Sequence, residues 1–307
     1  MLLHYTDELM LCLMTLFTKS LEENCYPLQE EILNVLSMVA VVIGDNFSNY
    51  YNVFMPGLKQ LLMSLPGTTP KQITIRTLTI ECIGFLVSSI KNNTSLFVED
   101  LNLIMKFLMD LQVSNQLSHD DPHHQAIISV YAQFSTCLKE QFATFLPNIM
   151  GNVLQALDIH VDFNLQDETK VEEKQQEKKM AQAVFDLKML GGKKILSVNT
   201  DALEIKINAA NAVYAISKNV KKAYAPFVEQ TKMVISKYLD YKYSKEIRKC
   251  CLKTIHNLIF ACEYENQMAE LFNFFTPMLL AEIQNILKIE NRTFFLITSS
   301  TYFILFL

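Results

Sequence analysis

The residues best suited to chemistry lie in the run SHDDPHH at 118–124, where carboxylates and imidazoles occur together. Its members are His119, Asp120, Asp121, His123 and His124. Asp and His are metal ligands, but two adjacent imidazoles cannot face one ion from the same side of a helix. A proline that follows two aspartates is typical of a helix start with an aspartate as its N-cap. We therefore predict a helix start here and no metal site.

Other reactive groups lack the spacing that catalysis or phosphate binding requires. The GGKK run at 191–194 has neither the GxxxxGK[ST] frame nor a preceding strand. His160 and His256 are isolated, and no serine or cysteine has a recognisable base partner for nucleophilic attack. The sequence therefore predicts no enzyme activity, no metal and no cofactor.

The composition of the 307 residues favours long helices. Half of the residues are hydrophobic, and only 7 glycines and 8 prolines are present, whereas a many-stranded sheet needs a turn every ~8–12 residues. The net charge is −5, and few of the 27 basic residues are arginine, which argues against nucleic acid as a ligand. The seven cysteines contain no CxxC pair and indicate a reducing compartment. The apolar last fifteen residues are too short for a membrane span, so we expect no membrane association.

An apolar helical segment that starts near an aromatic residue recurs along the chain. These aromatic residues are Tyr5, Tyr51, Phe97, Phe142, Tyr224 and Phe272. They are separated by 46, 46, 45, 82 and 48 residues, so the long step is one period plus an insertion of about 36 residues. A second amphipathic helix is predicted in each interval, at 27–43, 70–90, 121–138, 201–218 and 244–262. We call these second helices A helices and the aromatic-led helices B helices.

Two antiparallel helices in about 45 residues is the unit length of a HEAT repeat. We therefore predict an all-α fold, an α-solenoid in which A/B pairs stack into a right-handed superhelix over 1–307. Its parts are an orphan B helix at 1–20, three repeats at 21–157, an inserted charged loop or helix at 158–200, two repeats at 201–290 and the start of a further apolar helix at 291–307. Because neither end carries a polar cap, we expect a fragment of a longer solenoid.

Prolines recur at one position of the B segments. Pro56, Pro147 and Pro277 each lie five residues after the leading aromatic residue. Each proline either begins the B helix or bends a helix that began earlier. We favour the bend, with the first full B helix starting behind Ser48, because that helix matches its A partner in length.

Polar residues form a stripe on the side of each B helix away from its apolar residues. Amides and carboxylates in a row can bind an extended basic peptide through hydrogen bonds and charge. A merely solvated face is the alternative interpretation. The candidate cargo-binding residues are Asn52, Lys59, Gln60, Glu99, Asn102, Lys106, Asp110, Thr144, Asn148, Asn152 and Gln155.

The runs NYYNVFMPGLKQLL at 49–62 and RTLTIECIGFLVSSI at 76–90 resemble the importin-β superfamily of nuclear transport receptors, above all its importin-5 type. The likeness extends over residues 5 to 288 and covers the middle HEAT repeats of such a receptor. It implies a protein that shuttles between cytoplasm and nucleus and binds basic import signals of protein cargo on its B-helix face. It also implies contacts with Phe-Gly nucleoporins between the outer A helices.

The resemblance further implies that the GTPase Ran releases the cargo. The family's main Ran contacts lie in N-terminal repeats outside this chain, so Ran is expected as a partner of the full-length receptor. Relatives carry a clearly acidic insertion, whereas DETKVEEKQQEKKMAQ at 167–182 mixes both charges, which favours a flexible spacer. The alternative to a transport receptor is a HEAT-repeat scaffold that joins proteins without a transport cycle.

Overall fold

The computed structural model describes residues 5–113, 121–161, 163–167, 181–185, 194–198 and 200–290. The first seven helices are α1 (Thr6–Glu22), α2 (Tyr26–Ile43), α3 (Tyr51–Ser64), α4 (Pro70–Ser89), α5 (Thr94–Val113), α6 (Pro122–Leu138) and α7 (Leu146–Leu157). Three short strands follow, β1 (Phe163–Asp167), β2 (Ala181–Phe185) and β3 (Lys194–Val198). The last helices are α8 (Thr200–Val220), α9 (Val228–Ile235), α10 (Lys245–Ala261) and α11 (Glu265–Glu290).

The five predicted A helices are α2, α4, α6, α8 and α10, and each agrees with its predicted bounds within two residues. Local capping explains the agreement. The Thr69 side chain accepts a hydrogen bond from the backbone of Gln72, whose own side chain returns to Thr69 in a capping box at the start of α4. The carboxylate of Asp121 caps α6 by accepting a hydrogen bond from the His123 backbone, and the hydroxyl of Ser244 caps α10 by accepting one from the Ile247 backbone.

Successive A helices pack side by side along their length, α2 on α4, α4 on α6, α6 on α8 and α8 on α10. Successive B helices lie farther apart, and between α3 and α5 the side chains rather than the backbones meet. One continuous apolar core runs through the stack from Met10 in α1 to Phe275 in α11. The all-α solenoid predicted from the sequence is therefore confirmed.

The recurring prolines occupy two kinds of position. Pro56 and Pro277 lie inside α3 and α11, whereas Pro147 lies in the first turn of α7. The predicted start of the first full B helix behind Ser48 is wrong, because residues Gly44–Asn49 form a 3₁₀ helix and α3 begins at Tyr51. A proline in the first turn, as in α7, loses no hydrogen bond, whereas Pro56 and Pro277 each leave one carbonyl of the preceding turn without its backbone donor.

Three of the five turns that lead from an A helix to the following B segment contain a residue with a positive φ, whereas Ile90 after α4 and Cys262 after α10 have negative φ. Gly44, Lys139 and Lys221 have φ of +57°, +51° and +56° at the ends of α2, α6 and α8. Glycine adopts this conformation without cost, whereas a side chain with a Cβ is strained there. The turns after α6 and α8 therefore place a lysine in the backbone conformation that Gly44 adopts after α2.

The inserted segment contains strands where we predicted a charged loop or helix over 158–200. The strands β1, β3 and β2 form an antiparallel sheet in that order, with Phe163 opposite Val198 and Ala181 opposite Val198 on the other side. Apolar and polar residues alternate in FNLQD, and KILSV is rich in β-branched or aliphatic residues, which suits strands better than a helix. The predicted apolar helix at 291–307 lies outside the described residues.

At the end of α7, where the insertion begins, the chain forms side-chain contacts with later repeats. Asp158, just after α7, accepts hydrogen bonds from the Lys237 ammonium at 2.7 Å and the Tyr238 hydroxyl at 2.5 Å. The Lys206 ammonium of α8 donates to the Ile159 carbonyl at 2.9 Å and lies 3.9 Å from the centre of the Tyr238 ring. Because of these contacts, the repeats before and after the insertion stay adjacent.

Among the described residues, one helical stretch, Tyr26–Asn49, is long and apolar enough to cross a membrane by length and composition alone. It comprises α2 and the following 3₁₀ helix. Within the fold, α2 packs between α1 and α4, as the core helix of a solenoid does.

Candidate protein-binding faces

The helices α3, α5 and α7 each bury one side in the core and expose the other. Phe54 and Leu58 of α3, Leu101 of α5 and Ile149 and Val153 of α7 are buried, at the spacing of an amphipathic helix. The opposite side of each helix carries the residues predicted to bind cargo. The repeat therefore presents one polar stripe per B helix at a regular interval.

Ten of the eleven predicted cargo-binding residues are exposed: Asn52, Gln60, Glu99, Asn102, Lys106, Asp110, Thr144, Asn148, Asn152 and Gln155. Several stand at equivalent positions of the repeat, because Gln60, Lys106 and Asn152 are separated by 46 residues each. Asn102 and Asn148 are separated by the same interval. The stripes are thus in register from one B helix to the next.

Lys59 is the exception, because it is half-buried in an ion pair with Asp100 of α5. The same carboxylate accepts a hydrogen bond from the buried Tyr51 hydroxyl at 2.9 Å. Burial, followed by the Asp100 charge, raises the pKa of the Tyr51 phenol. Asp100 therefore bridges two successive B helices, and Lys59 contributes little free charge to the face.

Asp100 was not among the residues predicted from the sequence. A buried tyrosine hydroxyl needs a hydrogen-bond partner, so Tyr51 signalled that some acceptor must exist. The partner is 49 residues away, and sequence periodicity alone does not select it among the neighbouring polar residues.

A second bridge lies between the next B helices. The Gln112 amide oxygen of α5 accepts hydrogen bonds from the Tyr131 hydroxyl at 3.0 Å and from the Asn152 amide at 3.3 Å. One predicted cargo-binding residue, Asn152, thus also links α7 to α5. Asn152 as a whole is nevertheless exposed.

Charge is distributed unevenly along the solenoid. Residues 5–112 contain eleven acidic and six basic side chains, whereas residues 201–284 contain nine acidic and eleven basic ones. On the B-helix face itself, the Glu99 and Asp110 carboxylates are exposed, and Lys106 is the exposed cation between them. The repeats that carry α3 and α5 are therefore the more favourable surface for a basic partner.

The SHDDPHH run forms a joint between repeats. His119 and Asp120 lie outside the described residues. The buried His123 ring contacts the Asp121 carboxylate through Nδ1 at 2.5 Å and accepts a hydrogen bond from Arg76 Nε at Nε2, at 2.9 Å. Burial lowers the pKa of His123, and both ring nitrogens are engaged. Within the described ranges, no group of three or more His, Cys, Asp or Glu side chains could hold a metal ion.

The other reactive groups are not brought together. His160 and His256 are both exposed and belong to different repeats. Of the GGKK run at 191–194, only Lys194 lies within the described residues, at the start of β3. Burial raises the pKa of the Cys82, Cys137 and Cys251 thiols to about 12, which keeps them protonated and unreactive.

The outer side of the A helices exposes apolar residues near the first two repeats. Met38, Val41 and Val42 of α2 and Phe85 of α4 have 40–62% of their surface accessible. Met38 and Phe85 stand five residues before the ends Ile43 and Ile90 of their A segments, so they are equivalent in the repeat. Large apolar side chains exposed together mark surfaces that contact other proteins.

Residues 2–187 match the family model described as importin subunit beta-1-like, TPR repeats. The chain belongs to the importin-β superfamily. The repeats of this importin have a period near 46 residues, which is the HEAT length and exceeds the 34 residues of a typical TPR unit. The resemblance to the importin-β superfamily recognised in the sequence is therefore confirmed.

Two curated relatives are importins. A probable importin-5 homolog from Dictyostelium discoideum is 25% identical over 147 residues, which are 48% of this chain and 13% of the relative. Importin subunit beta-3 from Saccharomyces cerevisiae is 24% identical over 229 residues, which are 74% of this chain and 19% of the relative. The chain thus spans less than a fifth of the length of these proteins.

The fold is similar to that of the solved karyopherin Kap121p. The structure of Kap121p bound to Pho4p matches 90% of this chain and 24% of that protein, with a TM-score of 0.67 and 19% identity. Kap121p bound to RanGTP matches with a TM-score of 0.64 and 19% identity over 90% of this chain and 25% of that protein. This likeness establishes the solenoid fold of the importin segment.

Proposed function

We propose that this segment binds basic import signals of protein cargo along the exposed polar stripes of α3, α5 and α7, in nucleocytoplasmic protein import. The observation that carries the proposal is the register of these stripes, in which Gln60, Lys106 and Asn152 recur every 46 residues. An extended peptide that crosses successive B helices meets equivalent polar groups at each step.

The chemistry of the stripes supports a basic peptide. The amides of Asn102 and Asn148 offer both donors and acceptors to a peptide backbone. The exposed carboxylates of Glu99 and Asp110 attract lysine and arginine side chains, and the excess of acidic residues in 5–112 adds long-range attraction. Lys59 does not oppose this charge, because Asp100 neutralises it.

The proposal is tested by fluorescence anisotropy of a labelled lysine-rich peptide with the purified chain. The variant Glu99→Lys/Asp110→Lys is expected to weaken binding at least tenfold, because two attractive contacts become repulsive. The control variant Glu22→Lys/Glu30→Lys makes the same charge change at exposed residues outside the stripes. Equal weakening by both variants would show a general charge effect and would contradict a site on the B helices.

We further propose that the exposed apolar residues of α2 and α4 contact Phe-Gly nucleoporins, so that the receptor moves between cytoplasm and nucleus. Met38, Val41, Val42 and Phe85 supply the apolar surface that phenylalanine rings require. Immobilised Phe-Gly repeats should retain the wild-type chain and release the variant Met38→Ser/Phe85→Ser. Absence of any retention, under conditions that hold a full-length importin, would favour a scaffold without a transport cycle.

A further inference from the structure

A pocket of about 310 Å³ lies at the ends of α3 and α5, beside the polar stripes of these helices. Two of its lining residues are charged, Arg76 of α4 and Asp110 of α5. Because Asp110 also belongs to the polar stripe of α5, the pocket is continuous with that stripe. The other described lining residues are apolar: Met63, Leu65, Pro66, Phe107 and Leu111.

Arg76 is a buried cation that forms no ion pair with the carboxylates of the described residues. Only 6% of its surface is accessible. The Asp121 carboxylate, whose charge acts on Arg76, contacts the His123 ring instead. Burial lowers the pKa of the Arg76 guanidinium, because the Asp121 charge does not fully offset the loss of water around it. A further anion beside Arg76 therefore stabilises this buried charge.

Arg76 also keeps hydrogen-bond donors that its neighbours do not use. Its Nε donates to the His123 ring at 2.9 Å, and its Nη1 donates to the Leu65 carbonyl at 3.1 Å. The guanidinium has five N–H groups, and Nη2 has no acceptor within the described ranges. The unpaired side-chain atoms that are fully buried in this part of the chain are the Gln29 and Gln133 amide oxygens, so Arg76 Nη2 is accessible to solvent. Arg76 thus has free donors where it lines the pocket.

These features favour a ligand that carries a carboxylate and an apolar group close together. The carboxylate matches the fork of N–H groups on Arg76, and the apolar group packs against Phe107 and Leu111. The Asp110 carboxylate repels inorganic anions and acidic peptides, whereas it attracts a neighbouring lysine or arginine of the ligand. The C-terminal residue of a basic peptide meets these requirements when its side chain is apolar, because that side chain and the α-carboxylate share one Cα.

We propose that this pocket binds the C-terminal residue of a cargo peptide, an apolar residue whose α-carboxylate pairs with Arg76. The lysine or arginine residues that precede it pair with Asp110 and Glu99 on the stripe of α5. This inference rests on the proposed function, because it places the end of a basic peptide beside the B-helix stripes. A basic segment that ends a cargo chain therefore binds more tightly than the same segment inside a chain, where no α-carboxylate is present.

The experiment compares two fluorescein-labelled peptides with the sequence Lys-Ser-Lys-Ser-Lys-Leu by fluorescence anisotropy with the full chain. One peptide ends in a free carboxylate and the other in an amide. The free acid is expected to bind about tenfold more tightly to wild type, because only its carboxylate forms charge-assisted hydrogen bonds with Arg76.

Two variants locate this preference in the pocket. Met63→Glu places a carboxylate on the rim at a side chain that is 36% exposed, and it should reduce the preference for the free acid to within about twofold. Met233→Glu makes the same change at an exposed position of α9 and should keep the preference of wild type. Arg76→Gln should abolish the preference, and Met63→Glu provides the test even if Arg76→Gln does not fold.

Equal binding of the free acid and the amide to wild type would overturn the pocket proposal and leave the stripes intact. An equal loss of the preference in Met63→Glu and Met233→Glu would also overturn it, because the effect would then reflect net charge. Glu99→Lys, outside the pocket, should weaken both peptides alike and keep their ratio. If Glu99→Lys changed neither affinity while the preference persisted, the stripes would be wrong and the pocket would stand. Binding of neither peptide would overturn both proposals.

Discussion

The Tyr51 hydroxyl of α3 donates a 2.9 Å hydrogen bond to the Asp100 carboxylate of α5 and so joins two successive B helices. Lys59 adds an ion pair to the same carboxylate. The buried Tyr51 and the half-buried Lys59 and Asp100 form a small polar network between the two helices. Together they link α3 to α5 at this point.

Replacing the shared acceptor tests this network. Asp100→Ala is expected to lower the free energy of unfolding by about 2 kcal/mol, because it leaves the buried Tyr51 hydroxyl and the half-buried Lys59 ammonium without a partner. Urea unfolding followed by circular dichroism measures the change. Asp110→Ala, at an exposed position of the same helix, should stay within about 0.5 kcal/mol of wild type. A comparable loss in both variants would show that the bridge contributes no stability.

Gly67 leaves room for the Arg76 side chain, which forms a hydrogen bond with His123. Its φ is +66°, and an added Cβ would lie 2.0 Å from the Arg76 guanidinium. Gly67→Ala is therefore expected to cost about 2–3 kcal/mol, from backbone strain together with displacement of Arg76 from the Leu65 carbonyl and the His123 ring. Thermal unfolding provides the measurement. Gly151→Ala is the matched control, since nothing lies within 4 Å of a Cβ there and the helix gains an alanine.

Stability should depend on pH through His123. Its pKa in the folded chain is lowered, chiefly by burial; the Asp121 contact acts in the opposite direction, and the Arg76 and His124 charges lower it further. The unfolded chain therefore binds more protons just below the ordinary histidine pKa of about 6.5. Stability is thus complete above that value and is lost as the pH falls towards the folded-state pKa.

The variant His123→Gln isolates this effect. Denaturant midpoints at pH 7.5 and pH 5.5 should differ less in the variant than in wild type, although the variant is less stable at both values. His256→Gln, at an exposed position, should leave the pH dependence of wild type intact. If His123→Gln kept the pH dependence of the wild-type midpoint, titratable groups other than His123 would be responsible for that dependence.

The left-handed turn residues predict a stabilising substitution. Lys139 has a φ of +51° and an exposed side chain, so Lys139→Gly should raise the free energy of unfolding by up to about 1 kcal/mol. The reverse change at the equivalent position, Gly44→Ala, should lower it by a similar amount. Thermal unfolding of both variants checks the pair. A stabilising Gly44→Ala would contradict the shared turn geometry.

Local signals in the sequence were sufficient to predict the A helices. Proline starts, capping side chains and apolar spacing act within a few residues, so they located α2, α4, α6, α8 and α10 closely. The period of the B segments likewise predicted that α3, α5 and α7 expose equivalent residues. These features depend on the repeat, which is visible in one sequence.

Long-range pairs could not be predicted in this way. Asp100 forms a hydrogen bond with Tyr51, and Arg76 forms one with His123, because tertiary packing brings together residues nearly fifty positions apart. The strands of the insertion were missed because the many charged residues between them suggested a solvated segment, while the alternating runs are only five residues long. The start of α3 was misplaced because a 3₁₀ turn replaces its expected first turn.

The close packing of successive A helices and the wider separation of B helices give the two sides of the solenoid different stiffness. Rotation between repeats about the A-helix side changes the distance between neighbouring B helices while most of the apolar core stays covered. Polar bridges such as Asp100 with Tyr51 set a preferred distance, yet they can re-form at a slightly different one. The distance between successive amide positions can therefore change slightly, and under the proposed function this allows the B-helix face to accept basic peptides whose anchoring residues differ in spacing.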